Sequence, residues 1–328
     1  MWVPKGLEGV IVASTELTKI DGQAGRLIYR GYDATELAGN VPYEAVAHLL
    51  WLGGLPAEAE LLQLREKLGR SRALPVVVED FLHSVAKVAE PLSVLQTSVS
   101  ILGGLDSTKS ASTVNASIAL TARMPTIVAS FNRFRHNASP LQPRADLSHA
   151  ANYLYMLTGK EPRPEHVRAL DSYFTLLADH GLGASTFVAR VAASTLTDVY
   201  SAVVAAISAL KGPLHGGAPI YVKRLAKELV KPDLFHLAST VESEARELLR
   251  EDHPNRVIDT NVEFYSSLVL DAVGIPPELF TCTFACARSV GWTAHIVEQR
   301  KDNRLFRPES EYKGPADLDL HGLQKTEA

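Results

Sequence analysis

The sequence predicts an all-α fold with one small β element at its amino-terminal end. Three observations predict it. Apolar residues recur at helical spacing over most of the chain. Glycine, proline and small polar residues punctuate these runs where helices start and stop. β-like runs are confined to the stretch before Asp33.

Gly9 to Ala13 and Leu27 to Tyr32 are the β-like runs, and they flank Asp21-Gly22 as a small hairpin or extended arm. Glu44 to Leu52 then carries apolar residues at helical spacing and stops at Gly53-Gly54. Ala57 to Leu68 repeats the pattern and stops at Gly69. Ser148 can cap a helix that ends at Gly159. Pro164 opens the next, with Val167, Leu170, Phe174 and Leu177 on one face and Gly181 as its stop. Asp198 to Leu210 is apolar nearly all round, which predicts a central buried helix ending at Lys211-Gly212-Pro213. Lys223 to Leu229, Val241 to Leu249 and Phe284 to Gln299 complete the helical set. The chain shows no internal repeat, and the polar tail beyond Pro315 is expected to be loose.

A length of 328 residues, 46% hydrophobic and 21% charged, suits one large domain or two interlocked ones. The net charge of -4 gives no electrostatic case for a nucleic-acid or membrane-surface partner. Cys282 and Cys286 are the two cysteines, and their spacing puts both thiols on one helix face, reduced and packed. The opening segment lacks the basic start and apolar core of a signal peptide. The longest apolar stretch, Val203 to Ile207, is far too short to span a bilayer, and the expected compartment is the cytoplasm.

The most informative segment is Gly212-Pro213-Leu214-His215-Gly216-Gly217-Ala218. A histidine among small residues, directly after a buried helix, sits where backbone and ligand can approach closely. As neutral imidazole it can donate a hydrogen bond to a developing oxyanion. The same pattern also describes an ordinary helix-to-loop turn with a surface histidine, and this motif alone leaves both readings standing. Gly181-Leu182-Gly183 looks in part like a dinucleotide fingerprint, but it follows a helix and lacks the third glycine.

Further segments narrow the choice. They are Arg26-Leu27-Ile28-Tyr29-Arg30-Gly31-Tyr32-Asp33, Asp179-His180-Gly181-Leu182-Gly183-Ala184-Ser185-Thr186, Asn261-Val262-Glu263-Phe264-Tyr265, Arg288-Ser289-Val290-Gly291-Trp292 and Asp302-Asn303-Arg304-Leu305-Phe306-Arg307-Pro308. Taken together and in this order, from about Lys5 to Gly314, the chain resembles citrate synthases of the prokaryotic, short-chain type.

The resemblance implies a helical large domain, residues 1–215 with 266–328, that carries the β element and forms a homodimer. Residues 216–265 would make a truncated small domain. His215 matches the histidine that hydrogen-bonds the thioester oxygen of acetyl-CoA, and Glu263 the base that removes its methyl proton. His180 matches an oxaloacetate-binding histidine, Arg288 an arginine gripping an oxaloacetate carboxylate, and Arg307 the arginine supplied by the neighbouring subunit. Guanidinium forks suit carboxylates, and a shared site requires a dimer. No metal or resident cofactor is implied, since a coenzyme A thioester is the substrate. Each residue has a plainer alternative: a helix C-terminus favours a histidine at position 180 without any ligand, and the two arginines suit surface ion pairs. His295 is read as a packed helix residue.

The sequence also departs from the family pattern. Glu263 stands where the family has aspartate, and a displacement near 1 Å can cost roughly 100-fold in rate. Gly183 stands where the family has asparagine. After the glycines, Ala218-Pro219-Ile220-Tyr221-Val222-Lys223-Arg224-Leu225 follows directly, where the family first carries a Gly-His-Arg-Val-Tyr-Lys loop with a second catalytic histidine. His236 and His253 stand in no matching context and are read as surface residues. The expected activity is therefore weak or lost condensation of acetyl-CoA with oxaloacetate. The alternatives are a non-catalytic paralogue, binding oxaloacetate or citrate or pairing with an active relative, and a 2-methylcitrate synthase-like enzyme.

Overall fold

The computed structural model describes residues 4–7, 9–22, 24–106, 112–212, 230, 232–252 and 262–316. Lys223 to Leu229, His215, His253 and the end of the tail lie outside the described residues, as do residues 216–229, 231 and 253–261 of the expected small domain.

The β element is a three-stranded antiparallel sheet in the order β1 (Thr18–Asp21), β2 (Arg26–Tyr29), β3 (Tyr32–Asp33). Thr18 pairs with Tyr29 and Asp21 with Arg26, and the Asp21 carboxylate accepts the Ala24 amide to tighten the turn. The hairpin therefore turns where Asp21-Gly22 predicts. Its first strand, however, is Thr18–Asp21 and not Gly9 to Ala13, which forms no strand. β propensity needs a partner edge, and register pairs β2 with the nearer segment, leaving Ile11 93% exposed.

The helices form one layer-packed body around a single apolar core. They are α1 (Ala34–Leu37), α2 (Tyr43–Leu52), α3 (Glu58–Ser71), α4 (Val76–Val85), α5 (Pro91–Leu105), α6 (Thr113–Arg135) and α7 (His149–Thr158). After these come α8 (Pro164–Leu177), α9 (Ala184–Ser194), α10 (Val199–Leu210), α11 (Pro232–Asp252), α12 (Val262–Ala272) and α13 (Phe280–Lys301). Local chemistry sets several ends as predicted. Gly53 and Gly159 close α2 and α7 in the left-handed conformation, and Ser148 and Asp198 cap α7 and α10 with their side chains. Two predicted stops are corrected. Gly69 lies inside α3, where a Cβ would crowd the backbone of Ala145; it permits close packing and stops nothing. Helix α8 ends at Leu177, before Gly181.

The structure adds α1, α4, α5, α6, α9 and α12, which the sequence reading leaves out. Helix α6 holds Pro125 in its interior, and α5 ends in Gly103-Gly104-Leu105, so local signals argue against helices that tertiary packing sustains.

Helix α13 packs against α6, α9, α2 and α8, which makes it the spine of the fold. It is buried nearly all round although rich in hydroxyl residues. Thr283, Ser289 and Thr293 return their hydroxyls to carbonyls of the preceding turn. Aromatic polar tips latch other helices onto it: Tyr43 Oη donates to the Ala287 carbonyl at 2.7 Å, Trp51 Nε1 to Thr293 Oγ1 at 2.8 Å, and Tyr153 Oη lies 2.9 Å from Thr283 Oγ1. Cys282 and Cys286 are buried, unbridged thiols on this helix. Among the described residues no single helix is long and apolar enough to cross a membrane.

Candidate active site

The site is built on the chain that leaves α8. A helix end leaves carbonyls without intrahelical partners, and here long-range donors take them up. Tyr29 Oη, from β2, lies 3.0 Å from the Leu176 carbonyl and 2.8 Å from that of Asp179, while accepting the Asp179 amide. Arg288 Nε donates to the Leu177 carbonyl at 2.7 Å, and the Gly291 amide to that of Ala178 at 2.9 Å. The turn that carries His180 is thus clamped from β2 and α13 together.

Asp179 is wholly buried in this turn. Its Oδ2 accepts Thr18 Oγ1 at 2.5 Å, the Gly181 amide at 3.1 Å and His295 Nε2 at 3.2 Å. Burial alone would raise its pKa; the His295 imidazole, Arg288 and Thr18 outweigh that and bring it down to about 2. Below it the network continues. Arg190 Nη1 lies 3.4 Å from His295 Nδ1 and donates to Glu298 Oε2 at 2.7 Å, and Arg190 Nε donates to Gln299.

His180 follows Asp179 and is half-buried. Burial, then the Arg288 charge, push its pKa below the ordinary histidine value, against the opposing pull of Asp179. At neutral pH it is therefore an uncharged imidazole, able to donate one hydrogen bond without giving up a charge. Arg288 is 5% exposed, with its guanidinium 4.7 Å from the centre of the Phe284 ring. Burial lowers its pKa, opposed by Asp179. Among the described residues no carboxylate lies in ion-pair contact with it. A buried guanidinium in that state is suited to an anionic ligand.

A cavity of about 470 Å³ opens nearby. Its wall includes Leu210 and Gly212 at the end of α10, Ser266 and Leu270 of α12, and Phe284 of α13. These elements lead to three of the predicted residues. In sequence His215 follows shortly after α10, α12 carries Glu263 in its first turn, and Phe284 stacks on Arg288. Neither His180 nor Arg288 lines this cavity among the described residues.

The structure therefore places Arg288 against the chain leading into His180 and within electrostatic reach of it, and the surface ion-pair alternative for Arg288 is excluded by its burial. His215 lies outside the described residues, and for Glu263 only the backbone position is described. His236 is exposed on α11, as predicted. Arg307 is exposed beyond the end of α13. Its neighbour Phe306 docks on α9 through Ser194 and Phe187, and within this one chain Arg307 forms no contact with His180 or Arg288 among the described residues. His295 is packed in its helix as predicted, but its bond to Asp179 goes further. Asp179, Tyr29 and Gly291 escaped the sequence reading as parts of the site. All three fall within the motif segments, but nothing local in the sequence assigned them a role.

The family model described as citrate synthase, C-terminal domain, matches this chain over residues 6–233 and 220–309. The chain belongs to the citrate synthase family. The citrate synthase of Haloferax volcanii is 37% identical over an alignment of 367 residues that covers 96% of this chain and 97% of the relative. The 2-methylcitrate synthase of Shewanella oneidensis is 33% identical over 354 residues, covering 94% of each chain. Among solved structures, the ternary complex of carboxymethyl coenzyme A and oxaloacetate with the citrate synthase of Thermoplasma acidophilum matches with a TM-score of 0.89. That match has 26% identity and covers 97% of this chain and 98% of the other. The predominantly helical architecture with its three short strands is that of a citrate synthase.

Proposed function

We propose that this citrate synthase-family protein binds oxaloacetate, or a close 2-oxo dicarboxylate, at His180 and Arg288, and condenses it with acetyl-CoA weakly or not at all. The observation that carries the binding half is the pairing of a buried Arg288, free of any described carboxylate partner, with an uncharged His180 beside it. Arg288 would take a ligand carboxylate in its fork, and His180 would donate to the keto oxygen. Arg307, supplied by a second copy in a homodimer, would complete the grip.

In the full reaction Glu263 would take a methyl proton from acetyl-CoA while His215 hydrogen-bonds the thioester oxygen. The resulting enol would form a carbon–carbon bond to the keto carbon of oxaloacetate, and hydrolysis of the thioester would release coenzyme A. The case for weakness is the absent Gly-His-Arg-Val-Tyr-Lys loop. Consistent with a gap, the family model matches in two stretches that meet at 220–233, and the Haloferax alignment is longer than this chain. Loss of a positioned acid or base typically costs about 100- to 10,000-fold. The shortened segment 216–265 would also close less completely over the substrates, leaving water in the site.

Thiol release from acetyl-CoA in the presence of oxaloacetate, measured beside calorimetric binding of oxaloacetate alone, tests both halves. The expected result is binding with little turnover. Turnover at the rate of a full-length relative would overturn the weak-activity reading, and no binding would overturn the site. The 2-methylcitrate synthase relative makes propionyl-CoA the second thioester to assay.

A further inference from the structure

We propose that His295 is a positioning residue for His180, acting through Asp179. The role is built from geometry. His295 is fully buried on α13, and its two ring nitrogens face different partners: Nε2 faces Asp179 Oδ2 at 3.2 Å, and Nδ1 faces Arg190 Nη1 at 3.4 Å. A guanidinium can only donate, so Nδ1 is the acceptor and the ring proton sits on Nε2, pointing at Asp179. Arg190 thereby selects the tautomer, and Glu298, which binds Arg190 at 2.7 Å, holds Arg190 in place.

The carboxylate at the far end of this chain is one peptide bond from His180. Asp179 Oδ2 gathers donors from three separate elements, Thr18 of β1, the Gly181 amide of its own turn, and His295 of α13. The residue that presents the substrate-facing imidazole is therefore oriented by a carboxylate that cannot rotate without breaking all three bonds. The charged groups facing this centre balance. Asp179 and Glu298 are opposed by Arg190 from α9 and Arg288 from α13, and the His295 ring lies between them. The amino-terminal arm joins the same chain, since the Glu16 amide donates to Glu298 Oε1 and Arg190 Nη1 reaches the Ser14 carbonyl.

The proposal rests on His180 as a ligand-binding residue, but one arm of its test does not. Imidazole nitrogen NMR on the full chain would compare wild type, His295→Phe, which keeps bulk, and His295→Gln, which keeps a donor at the position of Nε2. The expected spectra show His295 with a proton on Nε2. The His180 titration midpoint should move in His295→Phe and return in His295→Gln. In parallel, oxaloacetate affinity should fall about tenfold or more in His295→Phe and be largely restored in His295→Gln. A His180 midpoint unchanged in His295→Phe, or a glutamine variant no better than the phenylalanine one, would overturn the proposal. Absence of oxaloacetate binding in the wild type would refute the functional reading alone, leaving the imidazole spectra to decide the role of His295. Should His295→Phe not fold, the wild-type spectra decide: a ring proton on Nδ1 in place of Nε2 overturns the proposal, and a proton on Nε2 supports it.

Discussion

The amide of Gly291, in the interior of α13, donates a 2.9 Å hydrogen bond to the carbonyl of Ala178, just past the end of α8. The carbonyl of Ala287, one helical turn before Gly291, accepts the Tyr43 hydroxyl at 2.7 Å. The spine helix thus opens its backbone on two sides to hold neighbouring elements. This approach is possible only without a Cβ at position 291, because one would fall on the Ala178 carbonyl and on Asp179 Oδ1.

Gly291→Ala is therefore expected to destabilise the protein by about 1–3 kcal/mol, as overpacking does, and to displace the turn carrying His180. Urea unfolding midpoints read the first effect and oxaloacetate calorimetry the second. A variant with wild-type values in both would mean that the turn yields freely.

Asp179→Ala leaves the buried charges around it without their counter-ion and is expected to cost about 3–5 kcal/mol at neutral pH. The wild-type carboxyl is held down at about 2, below its ordinary value of 3.8. Its stabilising contribution is thus complete above the ordinary value and is lost as pH falls through the folded one. The stability gap between wild type and variant should be widest above about pH 4 and narrow toward pH 2. Denaturant midpoints across that range check it, and a constant gap would contradict the pairing.

Asp171 titrates in the opposite sense. Burial, then the charge of Glu44, push it up to about 7 against the Tyr43 amide and Arg65. Its protonated form stabilises the fold fully below the ordinary carboxyl value, and that contribution is lost as pH rises through about 7. Asp171→Asn keeps an acceptor for the Tyr43 amide, which now donates to Oδ2 at 3.0 Å. The variant should melt higher than wild type at about pH 8 and alike at about pH 4. Thermal melts at the two values decide the matter.

Arg288→Lys removes the Nε bond to Leu177 and the planar fork. Hydrogen bonds to charged groups are worth roughly 1.5–3 kcal/mol, so oxaloacetate should bind about 10- to 100-fold more weakly. Calorimetry measures the change. Binding undiminished by this substitution would remove Arg288 from the site.

Much of the fold was legible locally. The ends of α2, α7 and α10 follow from Gly53, Ser148, Gly159 and Asp198, because a cap is a contact between residues a few positions apart. Sequence reasoning failed where the deciding partner is remote. Gly69 has the look of a stop and is a packing contact with Ala145. Gly9 to Ala13 has the composition of a strand, yet Thr18–Asp21 takes the available edge. Helices α5 and α6, full of small residues and interrupted by glycine or proline, owe their stability to neighbours.

The order of its motifs by itself determined the family, the candidate residues His180, Arg288, His215, Glu263 and Arg307, and the expectation of a missing loop. Motif order survives in a linear string. Tertiary structure alone decided that Arg288 lies within electrostatic reach of His180, that Asp179 and His295 stand behind the turn, and that Tyr29 and Gly291 clamp it. Those relations depend on long-range hydrogen bonds and on exclusion of water, which no window of neighbouring residues contains.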